Sequence, residues 1–173
     1  ACRDRGYRDY KIHPYYFWDP VTETVAPGRP SHIRADIELI HAVADAVGED
    51  MVLMYDPWGT YHTVEEALAV GKELQARGYY WYEHPMPEER VASYERLSAA
   101  LDIPILSPEI LHGHVFTRAD WMRRNVADMT RIDVLRGGIT AVKKTIAVAE
   151  AYGYRCEVDM SGTGNLHLLG SAS

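Results

Sequence analysis

Cysteine is scarce in this chain of 173 residues: Cys2 and Cys156 are the only two, with no CxxC pair. That excludes a disulfide framework and makes a reducing cytoplasm the expected compartment. Long apolar runs are missing too. None approaches the roughly 20 residues that a membrane-spanning helix needs, and no charged-then-apolar leader opens the chain. Positive charge is short: 18 Lys and Arg against 25 Asp and Glu give a net charge of −7. A general nucleic-acid or anionic-membrane binder needs a basic face, so neither is an expected partner. No linker or low-complexity stretch divides the sequence. The opening ACRDRGYRDYKIH has no methionine and enters a strand-like run almost at once, so it reads as part of something longer.

What is present is ordinary globular material, 47% hydrophobic and 25% charged, enough for one sizeable core over residues 1–173. Short apolar runs alternate with helical patterns. Strands are expected at 7–13, 51–56, 79–83, 103–109, 129–134 and 154–159. Helices are expected at 31–48, 63–78, 91–101, 117–127, 140–153 and from 165. Ser31 is the expected N-cap of the first helix and Gly48 its stop. Thr63 and Glu66 have the spacing of a capping box. Cys156, in a strand-like run, is expected as a small core residue. Six β-then-α units imply a parallel sheet with helices outside it. Two architectures have that pattern, an open doubly wound sheet and a TIM-type (β/α) barrel. A complete barrel takes about 250 residues and eight strands, so this chain supplies only part of one.

The acids favour the barrel. The stretch YYWYEHPMPEE runs four aromatics into Glu83 with no basic residue beside it. Asp56, Glu109, Asp133 and Asp159 end or nearly end their own strands. The steps from 56 to 83, 109, 133 and 159 are 27, 26, 24 and 26 residues, so each acid holds the same place in its unit. In a barrel all strand carboxyl ends meet at one mouth, where active sites are built. A lone strand-end acid is usually a helix cap or the partner of a basic side chain. Several at equal spacing would repel one another unless a cation lay among them. Carboxylate oxygens with open positions suit Mg²⁺, a hard ion.

YDPWG, WYEHPMP, SPE and DVLRGGIT resemble the enolase superfamily, in its mandelate racemase-like branch of acid-sugar dehydratases and racemases. The resemblance covers essentially the whole chain. It implies the second to seventh strands of a (β/α)7β barrel, with the capping domain and the outer strands lying outside this sequence. It implies Asp56, Glu83 and Glu109 as the magnesium ligands. GYRDYKIH is similar to the second-strand Lys-x-Lys motif, and Asp133 to the sixth-strand Asp that orients a seventh-strand His. The implied reaction is α-proton abstraction from a metal-held carboxylate, stabilisation of the resulting enediolate by the metal, and loss of the neighbouring hydroxyl as water.

Two positions depart from the family pattern. Lys-x-Lys reads Lys11-Ile12-His13, with Lys11 and His13 on one strand face. Lys11 would polarise the substrate carboxylate. His13 has a near-neutral intrinsic pKa and serves either as the base or as a solvated strand-end residue before Pro14. In CEVDMSGTGNLHLL, Asp159 stands where the family carries its catalytic His. Either Asp159 acts protonated as a general acid, or the His has been lost, leaving a catalytically impaired metal-binding chain. His167 is the third option, but LHLL around it reads as helix. Trp18, His84 and His112 are expected on the substrate side. His112 and His114 form a His-x-His pair of the kind zinc takes, although the hard acids nearby argue for magnesium. His32, His41 and His62 read as helix-surface or capping residues. RGGIT could cradle a phosphate, as in a barrel aldolase or isomerase, but that reading leaves the spaced acids unexplained. The exposed edges of a six-strand piece would need partner strands, from another copy or from the rest of the chain, and a homo-oligomer is the expected form. The expected partner is a small sugar acid. A racemase or epimerase of a 2-hydroxy acid is the alternative within the same family.

Overall fold

The computed structural model describes residues 2–14, 18–19, 21–22, 24–25, 31–112, 114–160 and 162–171. They fall into two compact units, Ala1–Ile105 and Leu106–Ser173. Both are built from strand-then-helix repeats, so the fold class is α/β. Among the described residues no helix is long and apolar enough to cross a membrane.

The first unit holds β1 (Asp9–Ile12), the two-residue strands β2 (Trp18–Asp19) and β3 (Thr24–Val25), α1 (Ile33–Val47), β4 (Val52–Tyr55), α2 (Val64–Ala76), β5 (Trp81–Glu83) and α3 (Val91–Ala100). Strands β1, β4 and β5 are parallel neighbours, with Lys11 opposite Met54 and Tyr55 opposite Tyr82. Strands β2 and β3 pair antiparallel inside the Pro- and aromatic-rich segment that the sequence presents as a loop. Beneath the sheet, Ile40, Val70, Leu74, Tyr82, Tyr94, Leu97 and Ile105 are fully buried. Among them, Val70 and Leu74 on α2 and Tyr94 and Leu97 on α3 recur at helical spacing.

Helix α2 starts on the expected capping box. Thr63 Oγ1 accepts from Glu66 N at 3.2 Å, and Glu66 Oε2 accepts from Thr63 N at 3.1 Å. Helix α1 differs from expectation, because its N-cap is His32 rather than Ser31 and no side chain caps it. A buried carboxylate compensates lower down. Asp36 accepts from Tyr55 Oη at 2.6 Å and Tyr61 Oη at 2.8 Å, tying α1 to the end of β4 and the loop beyond it. Burial pushes the Asp36 carboxyl up from its ordinary range, with the two tyrosine hydroxyls pulling the other way.

Strand β6 (Ile105–Leu106) lies at the junction of the two units. Pro104 before it and Pro108 after it lack the N–H that a ladder needs, which limits the strand to two residues. The second unit continues with α4 (His114–Arg124), β7 (Met129–Ile132), α5 (Val134–Tyr152), β8 (Arg155–Val158) and α6 (Thr163–Ser171). Leu106 pairs with Met129, and β7 pairs along its length with β8, both parallel. Ile132, Val142 and Leu168 form a small core, with Val134, Ile146, Cys156 and Val158 against it. Cys156 packs partly buried against this cluster, and burial pushes its thiol up to about 11.

Helix α5 begins at Val134, not at 140. Asp133 caps it, its Oδ1 accepting from Leu135 N at 2.9 Å. Gly138, at φ 70° and ψ 160°, then breaks the helix after one turn. Only glycine adopts such a backbone without strain, so Gly138 of RGGIT serves the kink.

Candidate active-site residues

In the first unit the predicted residues gather at the carboxyl ends of β1, β4 and β5. Asp56 follows β4 directly and Glu83 is the last residue of β5. Both are buried, at 2% and 0% exposure. Strand alternation turns Lys11 toward them. Its Nζ donates to Asp56 Oδ2 at 3.0 Å and to Glu83 Oε2 at 3.1 Å. The cation missing beside Glu83 in the sequence thus arrives from a strand 72 residues earlier in the chain. His13 points the same way, with Nε2 3.7 Å from Asp56 Oδ2.

Two tryptophans also donate to these acids. Trp58 N donates to Asp56 Oδ1 at 3.0 Å, closing a turn of the kind Asp makes two residues on. Trp81 Nε1 donates to Glu83 Oε2 at 3.2 Å. The period of two on β5 could have revealed this, since residues 81 and 83 share a face. Trp58 and His84 both have left-handed backbones, at φ 55° and 41°. Such strain in non-glycine residues clusters at functional sites. His84 is buried, and its carbonyl accepts from Gly59 N at 2.6 Å. A Cβ on Gly59 would lie 2.9 Å from His84 Nε2, so glycine is what lets these two loops approach. Trp18 lies in β2, and its side chain falls outside the described residues.

In the second unit Glu109 is 6% exposed, just past β6. Its Oε1 accepts from Arg136 Nη2 at 3.2 Å, and its carbonyl accepts from Arg118 Nη2 at 2.9 Å. Asp133 is engaged on both oxygens: Oδ1 by Leu135 N and by Asn165 Nδ2 at 3.2 Å, Oδ2 by Arg136 Nε at 3.7 Å. Asp159 is half-buried after β8. Its N–H donates to Ile132 O at 2.8 Å and its carbonyl accepts from Asn165 Nδ2 at 2.8 Å. Asn165, buried in the first turn of α6, also accepts from Val134 N at 3.1 Å. One amide therefore ties together the ends of β7 and β8 and the start of α5. Nothing in the periodicity marks it. His112 is exposed in the loop before α4, while the side chain of His114 lies outside the described residues. His167 is exposed on α6, the helix residue it was expected to be.

Comparison with known proteins gives a consistent picture. The family described as enolase C-terminal domain-like matches residues 1–173. The chain is 31% identical over 133 residues to a D-galactarolactone cycloisomerase of Agrobacterium fabrum, covering 76% of this chain and 35% of that one. It is 31% identical over 143 residues to an arabinonate dehydratase of Saccharolobus solfataricus, covering 80% and 37%. Among solved structures, a D-glucarate dehydratase of Agrobacterium tumefaciens complexed with magnesium superposes with a TM-score of 0.85 at 36% identity, covering 98% of this chain and 42% of that one. The chain thus spans well under half the length of these relatives.

Proposed function

The chain belongs to the enolase C-terminal domain-like family, and on that premise we propose that it carries the metal-binding and proton-transfer residues of a magnesium-dependent sugar-acid dehydratase. Its fold class is that family's partial TIM-type (β/α) barrel. The observation that carries the proposal is the Lys11 bridge. Two buried carboxylates from successive strand ends are held on one ammonium, so this corner of the protein favours a cation. The proposed magnesium ligands are Asp56, Glu83 and Glu109, all buried carboxylates able to contribute oxygen to an ion. A donor set of oxygens alone, without thiolate or imidazole, suits magnesium. When bound, the ion supplies a fixed positive charge for the substrate carboxylate.

The chain's own side chains take the remaining roles. Lys11 adds its positive charge to that of the substrate-carboxylate site. His13 accepts the proton as the bond from the α carbon to hydrogen breaks. Asp159 in its protonated form gives a proton to the β-hydroxyl as the bond from the β carbon to oxygen breaks, releasing water. The enol left behind becomes a 2-keto acid. Asp133 holds the start of α5 and the guanidinium of Arg136. Trp18, His84 and His112 are the proposed substrate-binding residues, and the proposed working form is a cytoplasmic homo-oligomer.

Racemisation would need a proton acceptor on each face of the α carbon. Asp159 stands where the family carries an imidazole, and Asp133 is already engaged by Leu135, Asn165 and Arg136. That favours dehydration over the racemase alternative. The test is a panel of sugar acids incubated with the protein and Mg²⁺, scored for 2-keto product. Formation of 2-keto acid that is lost in His13→Asn supports the reading. Inversion of a 2-hydroxy acid without 2-keto product contradicts it.

A further inference from the structure

We infer that Arg136 is a positioning residue for the carboxylate of Glu109, and that the broken first turn of α5 exists to present it. The inference rests on the proposal that Glu109 is a metal ligand. Arg136 lies in the short turn 134–137 that precedes the break at Gly138. Its contacts run to two carboxylates. Nη2 meets Glu109 Oε1 at 3.2 Å, and Nε faces Asp133 Oδ2 at 3.7 Å. The guanidinium meets the two carboxylates through two different nitrogens fixed in one plane, a geometry that a shorter-reaching point charge would have to rebuild.

The turn that carries Arg136 is fixed from several sides. Asp133 Oδ1 accepts from Leu135 N, and Asn165 Oδ1 accepts from Val134 N. The carbonyl of Asp133 accepts from Arg136 N and from Gly137 N, each at 3.2 Å. Gly138 then redirects the chain, so the turn is set apart from the rest of the helix. Glu109 is fixed at its other end by Arg118, which is 5% exposed and gives Nη2 to the Glu109 carbonyl and Nε to Arg131 O at 2.8 Å. The backbone and carboxylate of Glu109 are therefore each held by a different guanidinium. Engaging Oε1 fixes the direction in which the buried carboxylate points. Groups that orient a ligating carboxylate in this manner typically change metal affinity by roughly 10–100-fold when removed.

The test is Mg²⁺ titration by calorimetry on the full chain and on Glu109→Gln, Arg136→Met and Arg136→Lys, with the thermal midpoint of each. Arg136 is partly exposed, its side chain at 39%, so both variants at this position should fold. The expected result is loss of binding in Glu109→Gln and an about tenfold or greater rise in Kd in Arg136→Met. Arg136→Lys should recover only part of that loss, with all midpoints close together. Unchanged or tighter binding in Arg136→Met, while Glu109→Gln still loses the ion, would overturn this inference and leave the ligand assignment standing. Unchanged binding in Glu109→Gln would instead overturn the ligand assignment itself.

Discussion

Lys11→Met probes the bridge between the first two strand-end acids. The ammonium makes two charge-assisted hydrogen bonds, at 3.0 Å to Asp56 and 3.1 Å to Glu83. Removing one partner of a buried pair costs about 3–5 kcal/mol. Here the two acids are buried but the lysine side chain is 29% exposed, so solvent screens part of the interaction. Asp56 keeps the Trp58 N–H and Glu83 keeps the Trp81 indole. The expected loss is therefore about 2–3 kcal/mol. Urea unfolding in chelator-treated buffer measures it, with the slope checked for constancy. Glu83→Gln alone removes one of the two charges that the ammonium holds. In that background Lys11→Met should cost only about half as much, a coupling of about 1 kcal/mol or more. A loss below about 0.5 kcal/mol, or the same loss in both backgrounds, would refute the claim that this ammonium holds the two acids together.

Three further outcomes follow from local physics. Asp36 has a raised carboxyl pKa because it is buried, so the folded state favours its protonated form. Its stability contribution is present below the ordinary carboxylate range and lost as pH rises through the raised value. Asp36→Asn should therefore gain stability relative to the parent as pH rises from about 4 toward neutrality; a constant difference across a urea series at several pH values would contradict this. Gly71→Ala places a Cβ 2.4 Å from Leu101 Cδ1 and 3.3 Å from Tyr82 Cε1. The overpacking should outweigh the gain in helix propensity of about 1 kcal/mol and lower the melting midpoint; a raised midpoint would show that α2 and the segment after α3 yield easily. Asn165→Ala removes hydrogen bonds to Val134 N, Asp133 Oδ1 and Asp159 O. A loss of about 2–3 kcal/mol is expected, with faster amide exchange at Val134; unchanged exchange there would contradict the clamp.

The element order was legible because each unit carries its own punctuation. The Thr63/Glu66 capping box began a helix and Gly48 ended one where the sequence places them. Boundaries failed where a tertiary partner decided them. Helix α5 starts at 134 because Asp133 and Asn165 satisfy its first N–H groups, and only one of those two is near in sequence. Strand β6 is shorter than its apolar run because prolines flank it. The acids were legible by their spacing. Lys11 was legible as a residue facing the strand ends, but its bridge to Asp56 and Glu83 was not. Neither was the reach of Arg136 to Glu109 or of Asn165 to Asp133, because no local period encodes contacts 27 and 32 residues apart. The tryptophans at 58 and 81 lie two residues from the acids they serve and were open to a closer reading of turn and strand geometry.

The central claim is that these carboxylates bind a divalent cation for chemistry on a sugar acid. Calorimetric titration of Mg²⁺ into the chain and into Glu83→Gln tests it most directly. The account predicts saturable binding at one site in the parent and an about hundredfold or greater weakening in Glu83→Gln at nearly unchanged stability. Equal magnesium affinity in the two proteins would contradict it.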